Sequence, residues 1–398
     1  MRDDLLPQAM TLVEAQFARI GLASLAVYYF FKFGFHYSTT LENAIDPGAQ
    51  MTWTNIAFYF ISRILAVGVL SFNKPSPRWI DRNTGKPMPL PQTLKGRTQY
   101  ALDLTLAITG SSCFHDRHWD FAPPGIRTYR APPSLSRWTF AVSALQRIVM
   151  LYATYDALDF LLKRAINFHH LQQLSPLNPS PVTTLLPYHL QLFCVIVLCA
   201  HAYVGMTMEN LAFSIIFVGS GLSSMDSWPP FFNRPFSSRS LPSFWGEGWH
   251  FFHRHNFVSI SKFFVDPFTT DPNIAQFLIT VLSFLQSGFL HEIVMESLPL
   301  AKDPITYTLP LFSLERMRYW NLSAMKFFIV QPIGIIFDAL VLRKRVPGLR
   351  RVFAFMWLLH TGRWWADMWV AKGMWDGDDP ALVVRPAAVV LRRIFGNT

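Results

Sequence analysis

Apolar stretches of roughly 20 residues recur along the whole chain, and no other feature constrains its fold as much. A helix needs about 20 mostly apolar residues to cross the hydrocarbon core of a bilayer. Within that core only helices and closed barrels satisfy their own backbone groups. Stretches of this kind fall at residues 10–31, 51–72, 138–162, 185–204, 207–222, 273–295, 321–342 and 350–372. A further one, 98–113, is short and carries Asp103, so it spans, re-enters or lies along the interface. The expected architecture is an all-α polytopic transmembrane bundle of eight or nine spans, forming a single membrane-embedded domain over residues 1–398. Composition agrees: 51% of the residues are hydrophobic and 15% charged, against about 25% charged in soluble domains. No cleavable signal peptide stands out. Arg2, Asp3 and Asp4 open the chain and no small-residue cleavage site clearly follows the first apolar run, which reads as a retained span.

The net charge of +10 could serve nucleic acid or an anionic membrane surface, and the placement of the charges decides between them. Residues 73–97 carry Lys74, Arg78, Arg82, Lys86, Lys95 and Arg97 against Asp81 alone. Residues 343–351 carry Arg343, Lys344, Arg345, Arg350 and Arg351 with no acid. Basic residues gathered in loops between apolar segments follow the positive-inside rule and argue against a nucleic-acid face. If 98–113 crosses, both basic loops, the long loop 223–272 and the N-terminus share the cytosolic side. The Pro-rich stretches 73–91, 123–133 and 175–187 read as connections. Cys113, Cys194 and Cys199 lack the spacing of a disulfide framework or a thiolate metal site. The sequon at Asn321 sits at the edge of an expected span.

Polar chemistry gathers in three places. The loop 223–272 contains Phe244-Trp245-Gly246-Glu247-Gly248-Trp249-His250-Phe251-Phe252-His253-Arg254. If 249–264 is helical, His250, His253 and Arg254 lie three and four residues apart on one face. Trp245, Trp249, Phe251 and Phe252 would then seat an amphipathic helix in the membrane interface, its histidines either in a site or merely facing headgroups. The second place is His291, within an apolar span just after Ser287 and Gly288. An ionisable group there faces the bundle interior or a wet cavity. It could act as a general base, or be a core histidine bonded to another helix. Glu292 points about 100° away on a helix and is a poor orienter of its neighbour. The third place is His360, Arg363, Trp364, Trp365 and Asp367 in the last span, where Arg363 and Asp367 are spaced to pair. These residues line a polar cavity or form a structural ion pair.

Trp228-Pro229-Pro230-Phe231-Phe232, Ser240-Leu241 and Phe244-Trp245-Gly246…Trp249-His250, followed by Ser287-Gly288…His291-Glu292, resemble the membrane-bound O-acyltransferases, specifically their wax-synthase-like branch. The motif-bearing region is 225–295. The resemblance implies acyl transfer from a coenzyme A thioester to a hydroxyl, with acyl-CoA as co-substrate and no tightly bound cofactor or metal. His291 matches the family's catalytic histidine and His250 the polar position that closes the loop motif. Arg254 matches a basic residue commonly found after it. Trp245, Trp249, Ser287, His360 and Arg363 are the remaining candidates for substrate binding. Glu247-Gly248 departs from the arginines often found in this branch, which puts phosphate binding at those positions in doubt. In length and pattern the chain resembles fungal enzymes that acetylate terpenoid or meroterpenoid hydroxyls, an expectation that carries acetyl-CoA as donor and an endoplasmic reticulum location. Long-chain wax-ester or sterol acyl transfer is the alternative within the family.

Two other classes compete. A membrane di-iron oxygenase or desaturase needs histidine boxes, but His115-x-x-His118 and His250-x-x-His253 are boxes of two and His169-His170 has no partner. A transporter would show repeated halves with matching broken helices, and none is visible.

Overall fold

The computed structural model describes residues 12–37, 47–70, 77–108, 117–121, 129–132, 134–168, 180–249, 251–298, 309–342, 347–372 and 384–395. His250, Cys113, His115 and His169-His170 lie outside the described residues. The fold is helical, as the apolar patterning requires. Helices α1 (Leu12–Lys32) and α2 (Pro47–Ile64) each run on through a π-helical turn. They are followed by β1 (Trp79–Asp81), α3 (Leu94–Ile108) and β2 (Arg117–Trp119). Next come α4 (Arg137–Phe168), α5 (Pro181–Leu185) and α6 (Tyr188–Gly219). The motif region holds α7 (Leu241–Ser243), α8 (Phe251–Val265) and α9 (Pro272–Glu296). The chain closes with α10 (Leu314–Met317), α11 (Ser323–Phe337), α12 (Pro347–Ala371) and α13 (Pro386–Phe395).

Among the described residues four helices are long and apolar enough to cross a membrane: Gln50–Val69, Tyr188–Gly219, Pro272–Glu296 and Ser323–Leu342. The chain is a helical membrane protein. α1, α4 and α12 have 21, 32 and 25 residues but do not combine that length with the same apolarity and low charge. The expected spans 185–204 and 207–222 are corrected, because both lie in the single helix α6. Gly205, between them, is a packing residue and not a break: a Cβ there would sit 3.2 Å from the Tyr155 ring of α4. Four residues earlier, the His201 ring lies 3.8 Å from that same ring.

Of the stretch 98–113, residues 98–108 are described, and they belong to α3. Strands β1 and β2 lie on either side of α3 and pair antiparallel, Trp79 opposite Trp119 and Asp81 opposite Arg117. The chain therefore returns to the place it left. Trp79 and Trp119 are buried against Tyr100 and Leu104 of α3, which closes this small unit on itself. With one helix, α6, in place of two expected spans, both basic loops and the loop 223–272 share a side without a crossing at α3.

Buried polar contacts show which loops share a side. Arg82 donates to Asp226 at 3.0 Å and to the Tyr129 carbonyl at 2.8 Å, and Asp226 also accepts from the Ala131 amide at 2.6 Å. Arg351 reaches the Phe236 carbonyl at 3.2 Å. The basic loop after α2, the loop after α6 and the start of α12 thus meet at one end. At the other end Lys372 pairs with Glu296, and Arg316 donates to the Glu296 carbonyl at 2.5 Å.

Candidate functional site

The segment after α6 does not lie flat on a surface. Ser240 caps α7 by accepting from the Ser243 amide at 3.2 Å, and the Leu241 amide donates to Asp338 at 2.7 Å. Asp338 is itself held by Arg350 at 2.6 Å. Gly334 makes this approach possible, since a Cβ there would come within 2.8 Å of Leu241 Cδ2 and 2.5 Å of Trp357 Nε1. The chain then runs along α11. Trp245 donates to Gln331 at 3.3 Å, and its ring meets Phe284 at 5.3 Å and Phe328 at 6.0 Å. Gln331 is fully buried and gives its own amide to the Phe327 carbonyl and to Thr361. Trp249 packs between Phe232 and Phe244 at 4.8 and 5.6 Å.

Helix α8 begins two residues later than expected and is packed into the bundle. It packs lengthwise and antiparallel on α9. Ser261 and Ser283 share a hydrogen bond of 3.2 Å. Gln286 donates to Ser261 at 2.8 Å and to the Phe257 carbonyl at 3.2 Å. Phe257 joins Leu290 and Val294 in one buried cluster. On its other side α8 is held by α2, where buried Arg63 donates to Asn256 at 3.1 Å and covers the Phe121 ring at 4.9 Å. The physical reason is composition. Asn256, Phe257, Ser261 and Val265 are all buried, so α8 has two packed faces where a surface helix would have one.

Between α7, α8, α9 and α11 lies a cavity of about 350 Å³, within the range of small-molecule sites. Trp245, Trp249, Arg254 and Ser287 all line it, together with Lys262 and Gln276. Four sequence candidates thus converge on one space. Arg254 and Lys262 are eight residues apart on α8, about 12 Å along the axis, and both are exposed. Gly248, the doubtful position in the motif, has no room for a side chain: a Cβ would lie 3.0 Å from Pro235 Cα and 2.8 Å from Ser238 Oγ.

His291 sits one turn past Ser287 on α9. Its Nδ1 is 2.7 Å from the Ser287 carbonyl oxygen. A carbonyl can only accept, so Nδ1 carries the proton and Nε2 of the neutral ring keeps its lone pair. The ring packs on Phe328 at 4.5 Å and 33°, half-buried between α9 and α11. Glu292, as its helical position implies, turns away from His291. It accepts from the Leu322 and Met325 amides at 2.7 and 3.3 Å, capping the start of α11. A carboxylate there meets unpaired amides and the positive end of the helix dipole.

The third sequence cluster stands elsewhere. His360 and Arg363 face α6 and do not line the cavity: His360 Nδ1 lies 3.2 Å from the Tyr188 hydroxyl, and Arg363 donates to Gln191 at 2.7 Å. The expected Arg363–Asp367 pair is corrected. Asp367 instead binds the start of α5, accepting from the Val182 and Thr183 amides at 2.7 and 2.9 Å and from the Thr183 hydroxyl at 2.6 Å. Backbone donors at a helix start, arriving together, outcompete a single cation four residues away. Sequence reading missed Lys262, Gln276, Gln331 and Asp338. The last two were findable as polar residues inside an apolar span, the same signal that singled out His291. Among the described residues no group of three or more His, Cys, Asp or Glu could hold a metal ion.

Residues 228–307, which include His291 and every residue lining the cavity except Ile335, match the family model described as "Membrane bound O-acyl transferase family". These residues, a fifth of the chain, are similar to that family. The relatives agree with that resemblance: acetyltransferase eriL of Hericium erinaceus is 26% identical over 183 residues, 44% of this chain and 45% of that protein. Acetyltransferase atnC of an Arthrinium species is 36% identical over 85 residues, 21% of this chain and 20% of its own. Acetyltransferase TRI7 of Fusarium sporotrichioides is 25% identical over 175 residues, 42% of this chain and 36% of its own. The chain spans less than half the length of these curated relatives. No solved structure matches it.

Proposed function

We propose that this chain is a multi-pass O-acyltransferase of the endoplasmic reticulum membrane that moves an acetyl group from acetyl-CoA to a hydroxyl of a hydrophobic secondary metabolite, such as a terpenoid or meroterpenoid. The observation that carries the reading is the geometry of His291. A carbonyl fixes its tautomer, its Nε2 is left as a base, and one turn away Ser287 opens onto a cavity with two cations. The three acetyltransferases that are similar to parts of this chain support the choice of acyl group.

An alcohol is a weak nucleophile at neutral pH and needs a base to take its proton as it attacks. Nε2 of His291 removes that proton while the alcohol oxygen bonds to the thioester carbonyl carbon. The tetrahedral oxyanion is met by a nearby N–H, with His250 the candidate from the motif. Collapse breaks the C–S bond, the coenzyme A thiolate leaves, and the proton on Nε2 returns to it. A thiol of pKa near 8.5 departs without a strong acid. Arg254 and Lys262 attract the phosphates of the donor, while Trp245 and Trp249 offer apolar walls to the acceptor. The loops gathered around Arg82 and Asp226 face the cytosol, where the donor is. Seven long helices, α1, α2, α4, α6, α9, α11 and α12, are the spans, and the segment 241–265 dips in and returns.

The test is acyl transfer in microsomes carrying the wild type or His291→Ala, with labelled acetyl-CoA and palmitoyl-CoA against ergosterol, hexadecanol and farnesol. Loss of transfer at equal protein level supports the reading. Transfer that persists in the variant removes the base and overturns it.

A further inference from the structure

We propose that Phe328 and Met325 of α11 set the length of the transferred acyl group by filling the space beside His291, so that only an acetyl-sized group fits; this rests on the acyl-transfer reading above. At Gly288 the helices α9 and α11 touch with nothing between them. A Cβ at that glycine would lie 2.7 Å from Met325 Sδ, 3.3 Å from Met325 Cα and 3.2 Å from Phe328 Cβ. The Phe328 ring then turns onto the His291 imidazole at 4.5 Å. Phe327 closes on it at 4.8 Å and Trp245 at 6.0 Å, and Phe328 is 4% exposed.

A long acyl chain needs a dry apolar channel that starts at its own carbonyl carbon. During attack that carbon must stand within reach of the oxygen whose proton Nε2 is taking. On the α11 side the start of such a channel is occupied by an aromatic ring and a thioether packed against backbone. The methyl of an acetyl group needs no channel. An apolar cavity of about 150 Å³ is enough to hold a six-carbon ring, so truncating Phe328 makes room for several more carbons. Trp245 lines the substrate cavity and packs on Phe328, so the opened space adjoins the cavity wall.

The test compares acetyl-, butyryl-, hexanoyl- and palmitoyl-CoA in microsomes carrying wild type, Phe328→Ala, Phe328→Leu or Met325→Ala. The acceptor is whichever of ergosterol, hexadecanol and farnesol gives the fastest acetyl transfer. A pocket gains or loses roughly 10–200-fold in discrimination per methylene. The hexanoyl-to-acetyl ratio is therefore expected to rise at least about tenfold in Phe328→Ala and by less in the other two variants. Should Phe328→Ala fail to accumulate, the two milder substitutions decide. An unchanged ratio in every variant that retains acetyl transfer overturns the proposal, as does wild-type use of palmitoyl-CoA at the acetyl rate. Absence of transfer from all four thioesters in the wild type overturns the acyl-transfer reading itself, which is a different result from a flat chain-length profile.

Discussion

Removing the Asp226 carboxylate is expected to destabilise the end of the molecule on which the cavity is built. Asp226 accepts from Arg82 at 3.0 Å and from the Ala131 amide at 2.6 Å, and the Arg82 side chain is 0% exposed. Asp226→Ala leaves the buried guanidinium with the Tyr129 carbonyl but without its counter-charge. Breaking a buried pair from one side costs about 3–5 kcal/mol, a loss of roughly two to four decades in the folded-to-unfolded ratio. Replacing both partners, as Arg82→Met with Asp226→Leu, removes the uncompensated charge and leaves the Ala131 amide without its acceptor and the Tyr129 carbonyl without its donor. That residual cost is about 1–3 kcal/mol. The double variant should therefore be more stable than Asp226→Ala alone, a non-additivity that a double-mutant cycle isolates. The assay is thermal unfolding in detergent, followed by tryptophan fluorescence and by the monodisperse fraction on size exclusion. Two results refute the reasoning: a melting temperature for Asp226→Ala equal to wild type, or a double variant that melts below the single one.

Three further outcomes are expected. His291→Ala lowers acyl transfer by about 10²–10⁴-fold, the usual contribution of a positioned general base, at unchanged protein level; microsomal assays with labelled acetyl-CoA read it. Arg254→Gln with Lys262→Gln raises KM for the thioester more than it lowers kcat, and flattens the salt dependence of kcat/KM, because both charges are exposed and screened by salt. Single cysteines at Lys86 and Arg239 react with an impermeant maleimide from one side of sealed microsomes, and a cysteine at Tyr319 reacts from the other; all three positions are exposed.

The bundle was legible because apolar length is a one-dimensional signal, and α9 and α11 fall within one or two residues of their expected limits at 273 and 321. What one dimension hides is whether a small residue breaks a helix or packs it. Gly205 was unreadable for that reason: only the Tyr155 ring from α4 shows its purpose. The β1–β2 pairing was equally hidden, since strands of three residues leave almost no periodic trace. At the site, Trp245, Trp249, Arg254 and Ser287 were found because two motifs stood in order, and they share one cavity. The Arg363–Asp367 pairing failed because i,i+4 spacing says nothing of a competitor 184 residues away, the Thr183 amide. Gln331 and Asp338 were overlooked although the reasoning that picked out His291 applies equally to them.

The contacts that seat the motif segment run forward in the chain. Leu241 is held by Asp338, 97 residues downstream, and Trp245 by Gln331, 86 residues downstream. While the ribosome is still making those later helices, the segment has neither partner, and its backbone amides need water. Leu241 and Trp245 therefore take their seats only once α11 and the turn after it are in place. A chain stalled before residue 331 would carry Leu241 and Trp245 with neither acceptor made.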